Sequence, residues 1–299
     1  MENSIVVTTD LRKQFGSNEA LAGISVNIEK HSITGLIGRN GSGKTTLLKI
    51  IAGRLDKTGG KAEVFGEKPM DNMPVLNKLI YTCHNVGYEK GLRLNMILFA
   101  YKTMFKNFDS TFADKLMKYF ELSGKMKYKS LSQGMCSIFN FICALSCRTE
   151  LTMFDEPMLG MDVTVRKTAY EILLRDYAEH PRTFIISSHL LSEIEGLLSG
   201  ILLIERGREV LHSPIDVVQQ SAYRVDGSHE AVQGYAEGKR TIALAKNELS
   251  CFAVIHEPFT EEIAKSAKLQ GLTVSNVRAE DLCVYLTRQN KEEELACLW

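Results

Sequence analysis

The consecutive residues Gly38-Arg39-Asn40-Gly41-Ser42-Gly43-Lys44-Thr45 place glycines, a lysine and a hydroxyl at spacings that suit one chemistry, the binding of a nucleoside triphosphate. Glycines let backbone N–H groups close around phosphate oxygens, Lys44 has the reach for the β- and γ-phosphates, and the Thr45 hydroxyl suits Mg²⁺. Thr46 supplies a second hydroxyl beside it.

Such a loop works only between a strand and a helix. The apolar run Ile33-Thr34-Gly35-Leu36-Ile37 reads as a buried strand, and Leu47, Leu48, Ile50 and Ile51 recur at helical spacing after Lys44. The helix N-terminus then points partial positive charge at bound phosphate. Two more apolar runs end in polar groups: Leu151-Thr152-Met153-Phe154 runs into Asp155-Glu156-Pro157, and Thr183-Phe184-Ile185-Ile186-Ser187 ends near His189. Strands alternating with helices imply an α/β fold with a mostly parallel sheet, whose ligands sit at the carboxyl ends of its strands.

Around this frame, residues 1–30 alternate apolar and polar as antiparallel strands do, and residues 85–130, rich in Met, Phe, Tyr and Lys, read as a helical insertion. A division near residue 215 separates a nucleotide-binding domain, 1–215, from a small α+β domain, 216–299. The latter's pattern β-α-β-β-α-β suits a ferredoxin-like unit.

Composition narrows the class. The 299 residues carry 44% hydrophobic residues, enough for a full core, and 36 Lys+Arg balance 36 Asp+Glu with no long basic run, so no nucleic-acid partner is expected. The start Met1-Glu2-Asn3-Ser4-Ile5 does not read as a secretory signal, and runs such as Ile201-Leu202-Leu203-Ile204 are far too short to cross a bilayer. The 7 cysteines form no C-x-x-C pair. Cys136, Cys143 and Cys147 fall on one side of a helix as core thiols, and the odd count without a secretory signal favours a reducing cytosol.

Leu131-Ser132-Gln133-Gly134-Met135 precedes Asp155 by about one helix and strand, and Leu159-Gly160-Met161-Asp162 follows Glu156. With the phosphate loop, the carboxylate pair and His189, these segments resemble the ATP-binding subunit of an ABC transporter, over about residues 4–215. The resemblance implies the P-loop NTPase fold of ABC ATPases, ATP and Mg²⁺ as ligands, and a role for each matching residue. Phe15 looks like the aromatic that stacks on adenine, although an edge-strand core Phe is its other reading. Asp155 would hold Mg²⁺ through water, Glu156 would orient and deprotonate the attacking water, and His189 would contact the γ-phosphate. A strand-end carboxylate pair also suits capping of the next helix. Asp162 resembles a residue that communicates across a dimer, and Ser132 and Gly134 would face the nucleotide of a second ABC ATPase subunit, in a homodimer or heterodimer.

Three positions depart from the family's pattern. Gln133 puts a side chain where glycine is common and Met135 lacks the usual amide. Met158 stands where Thr or Ser often opens its segment. His84 stands where the family has a glutamine touching Mg²⁺ and the membrane partner, with Asn85 as the competing alignment. A neutral His84 serves that role and a protonated one repels the metal, so hydrolysis is expected to weaken in mild acid. The segment Ala279-Glu280-Asp281-Leu282-Cys283-Val284-Tyr285-Leu286-Thr287 looks like the closing helix of ABC-2-type exporter ATPases, including those for antibiotics and antimicrobial peptides. The resemblance thus implies a cytosolic ATPase at the inner face of the cell membrane, docked on a separate permease and driving export. Tyr88, Leu92, Met96, Phe99 and Tyr101 would offer the docking contacts, with core packing as their other reading. The competing function is a nucleotide-switched regulatory protein of the same fold without a permease.

Overall fold

The computed structural model describes residues 3–84, 86–89, 91–246 and 251–288. The chain divides into two compact units, residues 1–209 and 210–299, a little earlier than the division near 215 read from the sequence. Segment composition shows the change of pattern at Pro214, whereas the division itself falls within one strand, Arg208–Pro214, whose pairing no local pattern reveals.

The first unit runs β1 (Ser4–Phe15), β2 (Asn18–Ile24), β3 (Asn27–Glu29), β4 (Ile33–Ile37), α1 (Lys44–Ile51), β5 (Gly59–Val64), α2 (Met73–Leu76), β6 (Leu79–Cys83), α3 (Leu94–Met104), α4 (Ser110–Tyr119), α5 (Gln133–Ser146), β7 (Leu151–Asp155), α6 (Val163–Glu179), β8 (Thr183–Ser188), α7 (Leu191–Ile194) and β9 (Gly200–Glu205). β10 (Arg208–Pro214) begins in it. β1 pairs antiparallel with β2, β3 and β5, forming the antiparallel subdomain expected of the alternating start. The central sheet runs β9-β4-β8-β7-β6 within this unit, and its neighbouring strands pair in parallel. β4, β7 and β8 are buried at every residue, as strands covered on both faces must be.

Register matters most for function. Ile37 pairs with Ser188, Asp155 with Ser187, and Cys83 with Asp155. The carboxyl ends of four strands therefore form one edge, and the chemistry-bearing residues leave the sheet there.

The insertion contains α3 and α4, and Gly91, at φ 104°, lies before α3. α4 starts on Asp109, whose side chain accepts from Phe112 N at 2.9 Å. Asp109 also pairs with Arg148 at 3.1 Å, and Arg148 reaches Asp176 of α6 at 3.0 Å. Asp176 takes Arg182 on its other oxygen at 2.6 Å. Arg182 and Asp176 are both almost fully buried, and burial pushes the Arg182 pKa below its usual value against the pull of Asp176.

The second unit continues with α8 (Ile215–Gln220), β11 (Tyr223–Gly227), α9 (His229–Ala236), β12 (Thr241–Lys246), β13 (Cys251–Ile255), α10 (Glu261–Leu269), β14 (Thr273–Asn276) and α11 (Ala279–Arg288). Its antiparallel sheet has the order β12-β13-β11-β14. Tyr223, Val225, Ala253 and Ile255 meet Val232 of α9 and Ala267 of α10 in a core of their own.

Asp176 is a carboxylate shared by two arginines, and its removal strands a buried guanidinium. Asp176→Ala is expected to cost about 3–5 kcal/mol, read as a lower midpoint in urea denaturation; a change below about 1 kcal/mol would show that the cluster is solvated.

Candidate functional site

The phosphate loop joins β4 to α1. Gly43 precedes the helix at φ 111°, in the left-handed region, and a Cβ there would sit 2.7 Å from Ala20 O of β2. On its other side Gly207 N donates to Ser42 O at 2.9 Å, and Gly207 O accepts from Ala22 N at 2.8 Å. The loop is thus held between β2 and the turn at residues 206–207. Lys44 opens α1 and is only 6% exposed. Its ammonium donates to Gly38 O at 2.7 Å and Arg39 O at 3.2 Å, curling the loop over itself. Burial pushes the Lys44 pKa down, while Glu156, Asp155 and Glu205 pull it up.

The carboxylates stand at the end of β7. Asp155 accepts from Tyr81 Oη at 2.9 Å on one oxygen and from Ser187 Oγ at 2.8 Å on the other. Burial and the neighbouring Asp155 both raise the Tyr81 pKa, so its hydroxyl remains a donor across the working range. Glu156 has φ 50°, a left-handed backbone for a residue with a side chain, and its N–H donates to Ser187 Oγ at 2.9 Å. A conformation of this kind costs about 1–2 kcal/mol, and the bond to Ser187 offsets part of it. It turns the carboxylate toward the phosphate loop: Oε1 is 3.8 Å from Lys44 Nζ and Oε2 is 2.8 Å from His189 Nδ1.

A cleft of about 480 Å³ is lined by Phe15, Asn18, Glu19, Ala20, Glu156, Arg206 and the loop residues 40–46, so Asn40, Gly41, Ser42, Gly43, Lys44, Thr45 and Thr46 all border it. Gly38 and Arg39 contribute through the carbonyls that hold Lys44. Phe15 is 47% exposed, and Lys13 Nζ lies 5.0 Å from its ring centroid. An exposed ring bordering the cleft is placed for a base to stack on, which favours that reading over core packing. Two buried atoms at this site, Ser42 Oγ and Glu156 Oε1, have no hydrogen-bond partner among the described residues. Buried polar atoms are normally paired. The donor loop, the buried ammonium and these two atoms fit a triphosphate and its attacking water, while Thr45 and Asp155 are oxygen donors of the kind Mg²⁺ takes.

Other sequence candidates lie apart from that cleft. Ser132 caps α5, its hydroxyl accepting from Met135 N at 3.3 Å. A Cβ on Gly134 would come within 2.5 Å of Gly160 O, so the start of α5 packs directly on the loop after β7. Gln133 lies over Gly160, and Ser137 Oγ donates to Leu159 O at 2.7 Å. The extra side chain of Gln133 is therefore accommodated by a glycine. Asp162 caps α6, accepting from Val165 N at 2.9 Å. His84 follows β6 and is half-buried, with its carbonyl accepting from Asn140 Nδ2 at 3.3 Å. Asn85, the competing alignment, lies outside the described residues.

The sequence reading passed over Tyr81, the hydroxyl of Ser187, Asn140 and Arg206. One signal was available: Tyr81 and Ser187 sit in buried strands, where a hydroxyl requires a partner. Asn140 is likewise a polar residue in the buried part of α5, where it donates to Cys83 O at 3.1 Å and Tyr128 Oη at 2.9 Å. Of the three thiols read as core, Cys143 in α5 and Cys147 at its C-cap are buried, whereas Cys136 is half-buried near the start of the helix.

The family model described as ABC transporter matches residues 21–159. ABC transporter ATP-binding protein YtrB of Bacillus subtilis (strain 168) is 26% identical over 257 residues, covering 86% of this chain and 87% of the relative. Bacitracin transport ATP-binding protein BcrA of Bacillus licheniformis is 30% identical over 217 residues, 72% of this chain and 71% of the relative. Among solved structures, a dimeric ATP-binding cassette in a post-hydrolysis state bound to ADP and Pi has a TM-score of 0.63 at 18% identity, covering 70% of this chain and 98% of that one. The chain belongs to the ABC transporter ATP-binding proteins and is an ATPase of that family, with the ABC form of the P-loop NTPase fold.

Gly43→Ala would force a Cβ toward Ala20 O in a backbone region that L residues rarely adopt. ATP affinity is expected to fall at least about tenfold, with a stability loss of about 1–3 kcal/mol, measured by nucleotide titration and thermal unfolding; unchanged affinity would mean that the loop does not need this conformation.

Proposed function

We propose that this ATPase works as a dimer docked on a separate membrane permease and drives export, closing on MgATP and reopening after hydrolysis. The observation that carries the hydrolytic part is the convergence of Lys44, Glu156 and His189: one carboxylate lies 3.8 Å from a buried ammonium and 2.8 Å from an imidazole nitrogen. In this reading Glu156 takes a proton from water, whose oxygen attacks the γ-phosphorus in line as the bond to the β-bridging oxygen breaks and ADP leaves. Lys44 and His189 stabilise charge on the transferring group, and Phe15 stacks on adenine. Mg²⁺, held by Thr45 and through water by Asp155, supplies further charge neutralisation when bound. His84 sits at the same edge of the sheet, where the family has its metal- and permease-sensing amide. Ser132, Gln133 and Gly134 are assigned to the nucleotide of the second subunit, which explains why they lie outside their own cleft.

Docking is supported by an apolar groove of about 880 Å³ in the first unit, bordered by Leu79, Tyr88, Leu92, Met96, Phe99 and Tyr101. Met96 and Phe99 are 52% and 70% exposed, as a surface awaiting a partner helix would be. Tyr88 and Tyr101 share a hydrogen bond of 2.8 Å that shapes the floor. Among the described residues no helix is long and apolar enough to cross a membrane. In this reading the permease is a separate chain and this subunit lies at the inner face of the membrane. Export is supported by the resemblance of residues 279–287, which lie in α11, to exporter ATPases and by the similarity to the bacitracin transport protein BcrA. For the second unit, the order β12-β13-β11-β14 on a β-α-β-β-α-β chain supports a ferredoxin-like domain.

A tagged chain extracted from native membranes in mild detergent should carry a stoichiometric multi-span membrane protein; recovery of soluble partners alone would overturn the permease. Glu156→Gln should retain ATP, stabilise the dimer and lower turnover at least about a hundredfold, and ordinary turnover in that variant would remove Glu156 as the base.

A further inference from the structure

We infer that Ser187, assisted by Tyr81, is a positioning residue for hydrolysis, its hydroxyl holding Asp155 and the backbone of Glu156 in the one arrangement that sends their carboxylates toward the phosphate loop. The inference rests on Glu156 as the base.

Ser187 is fully buried near the end of β8, beside Asp155 of β7 in register. A hydroxyl has one hydrogen to give and lone pairs to receive. Ser187 uses both capacities on consecutive residues: it donates to Asp155 Oδ1 at 2.8 Å and accepts from Glu156 N at 2.9 Å. The second bond is the consequential one. Glu156 is held at φ 50°, and relaxation to an ordinary negative φ would swing its side chain away from Lys44 and His189. Ser187 therefore supplies an acceptor at the point where the backbone departs from its preferred conformation.

Tyr81 completes the arrangement from the other side. Its hydroxyl donates to Asp155 Oδ2 at 2.9 Å from β6, so Asp155 is anchored by one donor from each flanking strand. A carboxylate held at both oxygens has a defined plane, and its free lone pairs face a defined direction. Neither hydroxyl borders the nucleotide cleft. Both act through the carboxylates.

Removing a group that only packs lowers stability and leaves the surviving enzyme unchanged, whereas removing a positioning group changes the chemistry of folded protein. The test uses the full chain with Ser187→Ala, Ser187→Thr and Tyr81→Phe, with Glu156→Gln in parallel. The readouts are kcat and KM for ATP, nucleotide affinity with and without Mg²⁺, and the thermal midpoint. Ser187→Ala should lower kcat about ten- to thirtyfold with KM within about twofold, as expected for loss of a charge-assisted hydrogen bond that matters in the reacting state. Ser187→Thr, which keeps the hydroxyl, should recover most of that loss. Tyr81→Phe should raise the Mg²⁺ concentration needed for tight nucleotide binding several-fold, with Mg²⁺-free affinity unchanged.

If Glu156→Gln abolishes turnover while Ser187→Ala and Tyr81→Phe leave kcat and the Mg²⁺ requirement at wild-type values, positioning is wrong and the base stands. Turnover in Glu156→Gln removes the base and this inference with it. Should Ser187→Ala fail to fold, Ser187→Thr with wild-type kcat together with Tyr81→Phe with its shifted Mg²⁺ requirement supports the inference, and an unshifted requirement overturns it.

Discussion

A buried ammonium must be answered by oxygen atoms, and the organisation of the first unit follows from how Lys44 is answered. In water the charge would be solvated; at 6% exposure it takes the carbonyls of Gly38 and Arg39 and has Glu156 as its nearest carboxylate. Those carbonyls belong to the loop that would receive phosphate, so the same contacts that make the charge tolerable without ligand also shape the loop. Binding of a polyanion replaces weak carbonyl contacts by strong ones. A bound polyanion would offset the cost of burying that charge, which would link affinity to the fold.

The parallel sheet places the remaining groups around that charge. Side chains hundreds of ångströms of chain apart arrive together because the strands end in register, with Cys83, Asp155 and Ser187 adjacent across β6, β7 and β8. Rigid strands buried on both faces suit this task, since packed interiors resist the small displacements that would misalign a carboxylate. The loops that follow these strands carry the variation. Gln133 over Gly160 is a case in point: α5 and the post-β7 loop accommodate one another, so an unusual residue in the signature is matched by a bare position opposite.

Asn140 gives the unit a further internal connection. Its amide joins α5, which begins at Ser132, to the carbonyls of Cys83 and His84 at the end of β6. The helix assigned to face a second subunit and the segment assigned to sense the permease are thus bonded directly, through a side chain that is 2% exposed. Together with the apolar groove beside α3, this brings the surfaces proposed to face partners and the nucleotide cleft into one compact unit.

The phosphate loop was legible from residues 38–45 alone because its parts are contiguous: glycine conformation, lysine reach and helix start are local properties, and local sequence determines them. The α/β class and the alternating second unit were legible for a similar reason, through periodicity. What tertiary structure decided is which distant groups meet. Tyr81 and Asp155 are 74 residues apart, and Ser187 is 32 from Asp155, so their hydrogen bonds depend on strand order and register, neither of which any single strand encodes. The same holds for His84, whose type was readable but whose neighbours were not, and for Gln133, whose fit depends on Gly160. Sequence by itself determined the chemistry available to this protein, because side-chain type and local spacing are written in it. Only the fold determined the geometry, because a hydrogen bond is made within about 3 Å and chain separation says nothing about that distance.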